Sequence, residues 1–282
     1  MNFASQLKTN KPVMGMVHLK GDGPRDILDR AKREIDIYLE GGVDAVLVEN
    51  YFGSATDCEA ALKWVREKRP EAICGVNILG NDSLAFRLAR EHGVHFIQID
   101  SVCGHLPPGR DEAFAAELNE LRAGCGAAVL GGVRFKYQPV LSGRSEAEDL
   151  RLAMDRCDAI VATGDGTGKA TPLDKLCRFR RLIGDFPLVV GAGVTAETVG
   201  ESLQVCDGAI VGSWFKVGHR DTGDVNAAHV RSFMHAAASS RIHWFGEVSK
   251  GKSVRKDLDP RREDQRPGSM AAEAFGAEEV NR

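Results

Sequence analysis

Two stretches in the last third of the chain, PLVVGAGVTAET at residues 187–198 and GAIVGSWFK at residues 208–216, decide the predicted fold. Each is a short apolar strand that stops at glycine and is predicted to lead straight into a helix start. Glycine lets a ligand approach the backbone closely, and a helix N-terminus offers unpaired N–H donors and a partial positive charge. Two such strand ends are typical of the phosphate-binding loops after strands 7 and 8 of a (β/α)8 barrel. The pattern therefore predicts a phosphorylated small molecule as ligand.

Strand and helix signals alternate along the chain before these two stretches. Six apolar strand segments, each followed by a helical segment, are VMGMVHL at 13–19, AVLVEN at 45–50, AICGVNIL at 72–79, FIQIDS at 96–101, AAVLGGVRFKY at 127–137 and AIVATGDGTG at 159–168. The fourth strand is predicted to end at Asp100 and the fifth to carry Lys136. Eight strand–helix pairs with short connections predict a (β/α)8 TIM barrel over residues 1–245, with a doubly wound open sheet as the alternative.

Two helix starts and the end of the chain carry clear local signals. Ser145 and Glu148 are spaced as a capping box. Thr171, Pro172 and Asp174 follow the order of cap, N1 proline and first-turn acid. Residues 246–282 are rich in charge and hold few large apolar side chains, so they are predicted to form a flexible C-terminal tail, either solvated or ordered against a partner.

The overall composition indicates a cytoplasmic globular protein. Hydrophobic residues make up 43% of the chain and charged residues 27%, and the net charge of -3 argues against a nucleic-acid-binding surface. The sequence shows neither a signal-peptide core nor an apolar run of membrane-spanning length. Seven scattered cysteines without a C-x-x-C pair indicate reduced thiols. A homo-oligomer is compatible with this composition, and no apolar stripe requires one.

Side chains at the carboxyl ends of barrel strands converge on one site, which makes the predicted strand ends the candidate active site. The candidate acid–base pair is Glu49 and Asp100, which could protonate a leaving group or stabilise an oxocarbenium ion. Alternatively, one of these carboxylates pairs with Lys136 to neutralise a buried charge. Together with His18 they are also residue types that bind divalent metals, but no H-x-H or H-E-x-x-H spacing supports a metal site, so no cofactor is predicted.

Two further candidates for catalysis have other interpretations. Lys136 could form a Schiff base with a keto or aldehyde sugar, hold a substrate oxyanion, or serve the structure alone. His18 could act as an acid or base, or simply be hydrogen-bonded at the barrel rim. The remaining polar residues of the predicted mouth are candidates for binding substrate hydroxyls, and they are Asn50, Asn77, Thr163, Asp165 and Thr167.

The phosphate itself is assigned to backbone N–H groups and hydroxyls of the two glycine loops. The candidate residues are Gly191, Gly193, Val194, Thr195, Gly212 and Ser213. Alternatively, these glycines permit tight packing where the barrel closes. The earlier glycine loop is not a P-loop, because Gly168–Lys169 is followed by Ala170 rather than by Ser or Thr.

The strand ends also follow a family pattern in order, through GMVHLKG, VENY, GVNILGND, FIQID, FKYQPVLSG, VATGDGTGKATPLDKL, VVGAGVTAETV and CDGAIVGSWFK. This series resembles the BtpA/SgcQ family over roughly residues 11–240. The resemblance implies a phosphate-binding TIM barrel akin to those of tryptophan biosynthesis. One branch of that family is named for photosystem I accumulation, and another is described as a nucleosidase or sugar-metabolism enzyme. This chain departs from the family in the KGDGPRD loop, at Asp100 and at Lys136–Tyr137.

These observations predict an enzyme that acts on a phosphorylated sugar or nucleotide-like molecule and cleaves a glycosidic or nucleosidic bond. A phosphosugar lyase, aldolase or isomerase that uses Lys136 is the second hypothesis. The third is a non-catalytic assembly or regulatory factor built on a ligand-binding barrel. The ring of ionisable groups at one mouth argues against the third hypothesis, because a pure scaffold does not need it.

Overall fold

A computed structural model of the protein describes residues 3–7 and 9–249. Eight parallel strands pair in sequence order, and the last strand pairs with the first, so that the barrel is closed. The strands are β1 Val13–Val17, β2 Ala45–Glu49, β3 Cys74–Asn77, β4 Phe96–Cys103, β5 Ala128–Val133, β6 Ala159–Ala162, β7 Leu188–Val190 and β8 Gly208–Val211. The predicted (β/α)8 TIM barrel is confirmed.

A helix follows each strand, and one short helix precedes β1. The helices are α1 Phe3–Leu7, α2 Pro24–Glu40, α3 Ala55–Lys68, α4 Asp82–His92, α5 Pro108–Ala123, α6 Glu146–Arg156, α7 Leu173–Ile183, α8 Val199–Val205 and α9 Ala227–Ser249. The predicted capping box at Ser145 and Glu148 begins α6, and its two reciprocal hydrogen bonds are both present. None of the described helices is long and apolar enough to cross a membrane.

The core has two layers, one inside the barrel and one between the strands and the helices. The inner layer consists of alternate strand residues such as Met14, Leu47 and Phe96, because successive side chains of a strand point to opposite faces. Phe3 and Leu7 of α1 join this inner layer. Each such buried side chain contributes about 1.5–3 kcal/mol of hydrophobic stabilisation, so the inner layer holds α1 against the barrel.

Two predicted strand ends were placed wrongly. The β4 strand continues past Asp100 to Cys103, with a register shift between Ile99 and Cys103 that accommodates the extra length. The β5 strand ends at Val133, so Lys136 lies in the loop that follows. Arg134 and Tyr137 have positive φ angles of 47° and 63°, and such left-handed residues end an extended strand.

Helix starts after the glycine-rich strands also differ from the predictions. The chain does not enter a helix directly after β7, because α8 begins only at Val199, and β8 leads into a short 3-10 helix at Ser213–Phe215. Pro172 is the N-cap of α7, whereas Thr171 donates its hydroxyl to the carbonyl oxygen of Ala192 instead of capping the helix. The candidate anion-binding donors of this region therefore lie in loops and in a 3-10 turn rather than at α-helix N-termini.

The predicted boundary between barrel and tail does not coincide with the end of a structural element. The final helix, α9, runs through residues 246–249, which had been assigned to the tail. The predicted flexible tail otherwise covers residues 250–282, which lie outside the described residues.

Candidate active site

Strand alternation determines which polar side chains enter the barrel mouth. Met14 and Met16 of β1 fill the barrel interior, so His18 points into it two residues later. The same alternation along β2 places Glu49 on the inner face of the barrel, two residues after Leu47. It also points Asn50 away from the barrel interior, where its side-chain oxygen accepts a hydrogen bond from the Leu79 N–H at 2.7 Å.

A cavity of about 220 Å³ opens at this mouth. Among the predicted site residues, it brings together His18, Glu49, Lys136 and Thr167 on one side with Gly191, Gly193, Val194, Thr195, Gly212 and Ser213 of the two glycine loops. The other predicted residues, Asn50, Asn77, Asp100, Thr163 and Asp165, do not line this cavity. Among these, Asp165 is exposed to solvent and Thr163 is buried.

A chain of polar contacts includes two of the residues that line the cavity, His18 and Glu49. The Nζ atom of Lys216 lies 2.7 Å from Nδ1 of His18, and Nε2 of His18 lies 3.8 Å from Oε2 of Glu49. Asn77 then donates from Nδ2 to Glu49 Oε1 at 2.8 Å and to Asp100 Oδ1 at 3.1 Å. One amide nitrogen therefore links the two candidate carboxylates. Asp100 does not line the cavity itself, but it also accepts a hydrogen bond at 3.4 Å from Nε2 of Gln98, which does.

The electrostatics of Glu49 suit proton transfer near neutral pH. Burial, with a further contribution from the negative charge of Asp100, raises the pKa of Glu49 from 4.5 to about 7. Lys136, the Asn77 hydrogen bond and Lys216 oppose this rise. A carboxyl group with this pKa exists in both protonation states at neutral pH, as a general acid–base group must.

The pKa values of His18 and Lys216 are lowered, whereas that of Glu49 is raised. Burial and then the charge of Lys216 hold the pKa of His18 well below 6.5, so the imidazole is neutral at neutral pH. Burial also lowers the pKa of Lys216, while the carboxylates of Glu34, Asp221 and Glu49 counteract that effect. Both side chains are almost fully buried, at 4% and 1% exposed.

Lys136 is held by the loop after β6. Its Nζ donates to the hydroxyl of Thr167 at 3.1 Å, and its backbone N–H donates to Thr163 Oγ1 at 2.9 Å. The Tyr137 hydroxyl accepts the Thr167 N–H at 2.8 Å. Within residues 3–7 and 9–249, no carboxylate lies within ion-pair distance of Lys136, so the expected neutralising partner is absent from this part of the chain.

The two glycine loops keep several donors unused. In the described part of the chain, the backbone N–H groups of Gly193, Val194, Gly212 and Ser213 donate to no protein acceptor. Two of the residues predicted to bind phosphate have backbone N–H groups that are already used. The Gly191 N–H donates to Ala162 O at 2.8 Å, and the Thr195 N–H donates to Thr198 Oγ1 at 3.0 Å.

Glycine is also needed in these loops for packing. Gly193 has a φ angle of 64°, and a Cβ atom there would lie 2.2 Å from the backbone of Lys169. A Cβ atom on Gly212 would approach the imidazole of His18 to 3.3 Å. The glycines therefore bring the β7 and β8 loops against the β6 loop and against His18, in addition to leaving their N–H groups open.

Sequence reasoning missed two important polar residues of the site. Lys216 is buried and contacts the cavity-lining His18, although the sequence shows it only as the charged end of an apolar run. Gln98 lines the cavity, and its Oε1 atom is buried without a hydrogen-bond partner among the described residues. Gln98 could have been found, because it precedes Asp100 by two positions and therefore shares its face of β4.

The residues considered for a metal site do not form a ligand cluster. Within residues 3–7 and 9–249, the only three metal-binding side chains whose ligand atoms converge are Glu59, Glu91 and His92 on α3 and α4. None of these three residues lines the cavity.

Comparison with known proteins places the chain in a family. The sequence profile of the BtpA family matches residues 9–239, so the chain belongs to the BtpA family. An uncharacterised protein of Pyrococcus horikoshii is 30% identical over 77% of this chain and 92% of its own length. A Synechocystis protein named photosystem I biogenesis protein BtpA is 25% identical over 84% of this chain and 92% of its own length.

Solved structures agree with the fold. Phosphoribosyl anthranilate isomerase from Thermus thermophilus superposes with a TM-score of 0.54 at 15% identity, and the match covers 81% of this chain and 98% of the isomerase. At this identity the likeness concerns the barrel architecture alone.

Proposed function

We propose that this member of the BtpA family is an enzyme that binds a phosphorylated sugar or nucleotide-like molecule and cleaves its glycosidic or nucleosidic bond. One observation carries the proposal. Glu49, whose pKa is raised to about 7, lines the same cavity as two glycine loops with unused backbone donors. An acid–base group and an anion-binding group thus share a space of about 220 Å³.

The phosphate end of the proposed site consists of the β7 and β8 loops. The N–H groups of Gly193, Val194, Gly212 and Ser213 supply the donors, and N–H groups in such loops form concave anion sites without a charged side chain. A similar location after strands 7 and 8 binds phosphate in many TIM barrels. One structure with a similar fold is named phosphoribosyl anthranilate isomerase, and we therefore choose phosphoribosyl compounds as the first class to test.

The acid end consists of Glu49 with its supporting residues. Protonated Glu49 donates its proton to the leaving base or oxygen as the bond to the anomeric carbon breaks, and water adds at that carbon and returns a proton to Glu49. Asp100 acts through Asn77 and through its charge, which favours the protonated form of Glu49. In this arrangement only Glu49 of the two carboxylates contacts the substrate, whereas the sequence predicts Glu49 and Asp100 as an acid–base pair in which both act on it.

A second candidate function is supported by the surroundings of Lys136. Its Nζ lines the cavity and contacts the neutral hydroxyl of Thr167. A lysine with no carboxylate partner among the described residues is suited to a Schiff base with a keto or aldehyde phosphosugar, which would make the protein a lyase, aldolase or isomerase. Reduction with borohydride in the presence of substrate would attach the sugar covalently to Lys136 only in this case.

Ligand binding is the first experiment. Thermal-shift and calorimetric titrations would compare ribose 5-phosphate, hexose phosphates, nucleoside monophosphates and inorganic phosphate. Ser213→Asp places a negative charge in the loop and should abolish binding, whereas Ser239→Asp adds the same charge at an exposed position of α9 and should leave binding unchanged. Equal binding by both variants, or no binding by the wild-type protein, would remove the phosphate site and favour a non-catalytic assembly role.

Turnover is the second experiment. Wild-type protein and Glu49→Gln would be incubated with the compounds that bind, and release of free base or reducing sugar would be measured. Loss of the general acid should lower kcat by about 10²–10⁴-fold, while Glu120→Gln on the exposed face of α5 should have no effect. Full activity of Glu49→Gln would contradict the proposed role of Glu49.

A further inference from the structure

Lys216 and His18 form a buried pair that joins the two ends of the barrel sequence. They are 198 positions apart, and closure of the barrel places the residues that follow β1 beside those that follow β8. Lys216 is 1% exposed, and its Nζ contacts His18 Nδ1 at 2.7 Å and the Asp221 carbonyl oxygen at 3.1 Å. A lysine ammonium has hydrogen-bond donors and no acceptor, so an ammonium at Lys216 requires Nδ1 to accept and the imidazole proton to reside on Nε2.

The imidazole ring is also packed against Tyr51 and Gly212. The ring of Tyr51 stacks on it with centroids 4.9 Å apart, and Gly212 lies so close that a Cβ atom there would meet Cε1 at 3.3 Å and Nε2 at 3.4 Å. The Nε2 atom lies 3.8 Å from Glu49 Oε2. The Nε2–H group is therefore located between the candidate acid and the loop that carries the candidate phosphate donors.

We propose that Lys216 is a positioning residue, which holds His18 as the neutral Nε2–H tautomer and thereby gives the cavity a fixed hydrogen-bond donor between Glu49 and the Gly212 loop. This inference rests on the proposed function, and it refines the substrate class. A phosphosugar whose phosphate lies against Gly212 must present an oxygen acceptor, such as a hydroxyl or the ring oxygen, to His18 before it reaches Glu49.

The charges around the pair support the ammonium form of Lys216. The groups that act on Lys216 are the carboxylates of Glu34, Asp221 and Glu49, which favour its charge, and Lys20, which opposes it. The charged groups that act on His18 are Lys216 and Lys136, which both disfavour a second proton on the ring, and Glu49, which lies beside Nε2. The carboxylates thus counteract the effect of burial on the pKa of Lys216, and two lysines add to the effect of burial on the pKa of His18.

Nitrogen NMR of the full-length protein tests the inference without any substrate. Long-range ¹H–¹⁵N spectra of the imidazoles would identify the protonated nitrogen of His18, with His18→Gln giving the assignment and His235, exposed on α9, serving as the reference signal. In the wild-type protein we expect a protonated Nε2 and a bare Nδ1 that do not change between about pH 5 and pH 8. A protonated Nδ1, or a His18 that titrates in this range, would overturn the proposal.

Two substitutions separate positioning from simple packing. Lys216→Met removes both the donor and the charge, so His18 should exchange between its two neutral tautomers. Lys216→Gln retains an N–H donor without the charge and should restore the Nε2–H tautomer. Lys63→Met, the same change on the exposed face of α3, should leave the spectrum as it is. An unchanged spectrum in Lys216→Met would also overturn the proposal.

Activity supplies a separate readout once a substrate is known. Lys216→Met should lower kcat by about 10²-fold, the lower end of a general acid–base contribution, and Lys216→Gln should recover part of the loss. If no compound turns over but the wild-type spectrum shows the Nε2–H tautomer, the proposed function fails while the role of Lys216 stands. If Lys216→Met does not fold, the wild-type spectrum alone decides the question.

Discussion

The protein buries two groups of charged side chains near the barrel mouth, and the two groups differ in how their charges are balanced. The first, which we call the arginine cluster, lies by the loops after β4 and β5 and consists of Asp111, Asp149, Arg134, Arg144 and Arg156. Each carboxylate in it is bonded by two arginines. Although burial acts to raise the pKa of Asp111, the hydrogen bonds and charges of Arg156 and Arg144 bring it below its usual value.

The second group is the cavity chain of Lys216, His18, Glu49, Asn77 and Asp100. Among the described residues, Glu49 accepts a side-chain hydrogen bond only from the amide of Asn77, and its Oε2 atom lies 3.8 Å from a neutral imidazole. Burial and a second carboxylate raise the pKa of Glu49 to about 7, the opposite of what happens at Asp111. A fully paired carboxylate is permanently charged and holds loops together, whereas an underpaired one can exchange a proton at neutral pH.

The arginine cluster should show the larger stability effect when it is broken. Arg156→Met removes the side chain that donates to both oxygens of Asp111 and to the carbonyl of Val102. Among the described arginines, it leaves Arg144 alone bonded to Asp111. Breaking a buried ion pair costs about 3–5 kcal/mol, which urea denaturation would measure. Arg151→Met, exposed on the same helix, should change stability by less than about 0.5 kcal/mol. Equal losses of stability in Arg156→Met and Arg151→Met would show that the ion pairs of the arginine cluster do not stabilise the fold.

Glu49→Gln should instead stabilise the protein at alkaline pH. Because the pKa of Glu49 rises from 4.5 to about 7 on folding, its contribution to stability is present below about pH 4.5 and is lost as the pH rises through about 7. Glutamine has no proton to lose, so the variant should be more stable than the wild-type protein by about 1–3 kcal/mol at pH 8 and equal to it near pH 4. Urea denaturation at both pH values checks this, and a less stable variant at pH 8 would show that Glu49 is well paired.

The neighbours of Glu49 should move its pKa in opposite directions. Asp100→Asn removes a negative charge and should lower the pKa of Glu49, whereas Lys136→Met removes a positive charge and should raise it. Each shift should be of the order of one pH unit. Carboxyl ¹³C NMR titration of Glu49 in the two variants would measure both, and shifts of the same sign would contradict the assigned electrostatics.

A surface pair provides the smallest expected effect. Arg87 and Glu91 form an i,i+4 ion pair on α4, with side chains 49% and 45% exposed. Solvent screens such a pair, so Arg87→Gln should cost less than about 0.5 kcal/mol and lose even that at high salt. A larger loss of stability in Arg87→Gln, measured by thermal unfolding, would mean that solvent exposure does not weaken an ion pair as assumed. The contrast between the two buried groups would then need another explanation.

Much of the architecture could be predicted because it follows from local patterns. Alternating apolar residues, glycine at strand ends and the Ser145–Glu148 cap all act over a few positions. The errors arose where a local signal was overridden. Positive φ angles ended β5 before Lys136, and Thr171 used its hydroxyl to hold the β7 loop rather than to cap α7.

The candidate site could be predicted in part. His18 and Glu49 share the cavity because alternation along β1 and β2 points them inward, and that alternation is visible in the sequence. The role of Lys216 could not be predicted, because its contact with His18 exists only after β8 pairs with β1. Nor could spacing show that Asn77 bonds both Glu49 and Asp100, since that contact depends on three neighbouring strands in register.

Periodicity and glycine placement are properties of short segments, so the sequence was enough to predict the barrel, the family and some of the side chains at its mouth, such as His18 and Glu49. The tertiary structure decided which of those side chains meet, which backbone donors remain unused and which carboxylate holds a proton near neutral pH. These last properties depend on burial and on charges brought together by barrel closure, and a pKa is set by such neighbours rather than by position in the chain.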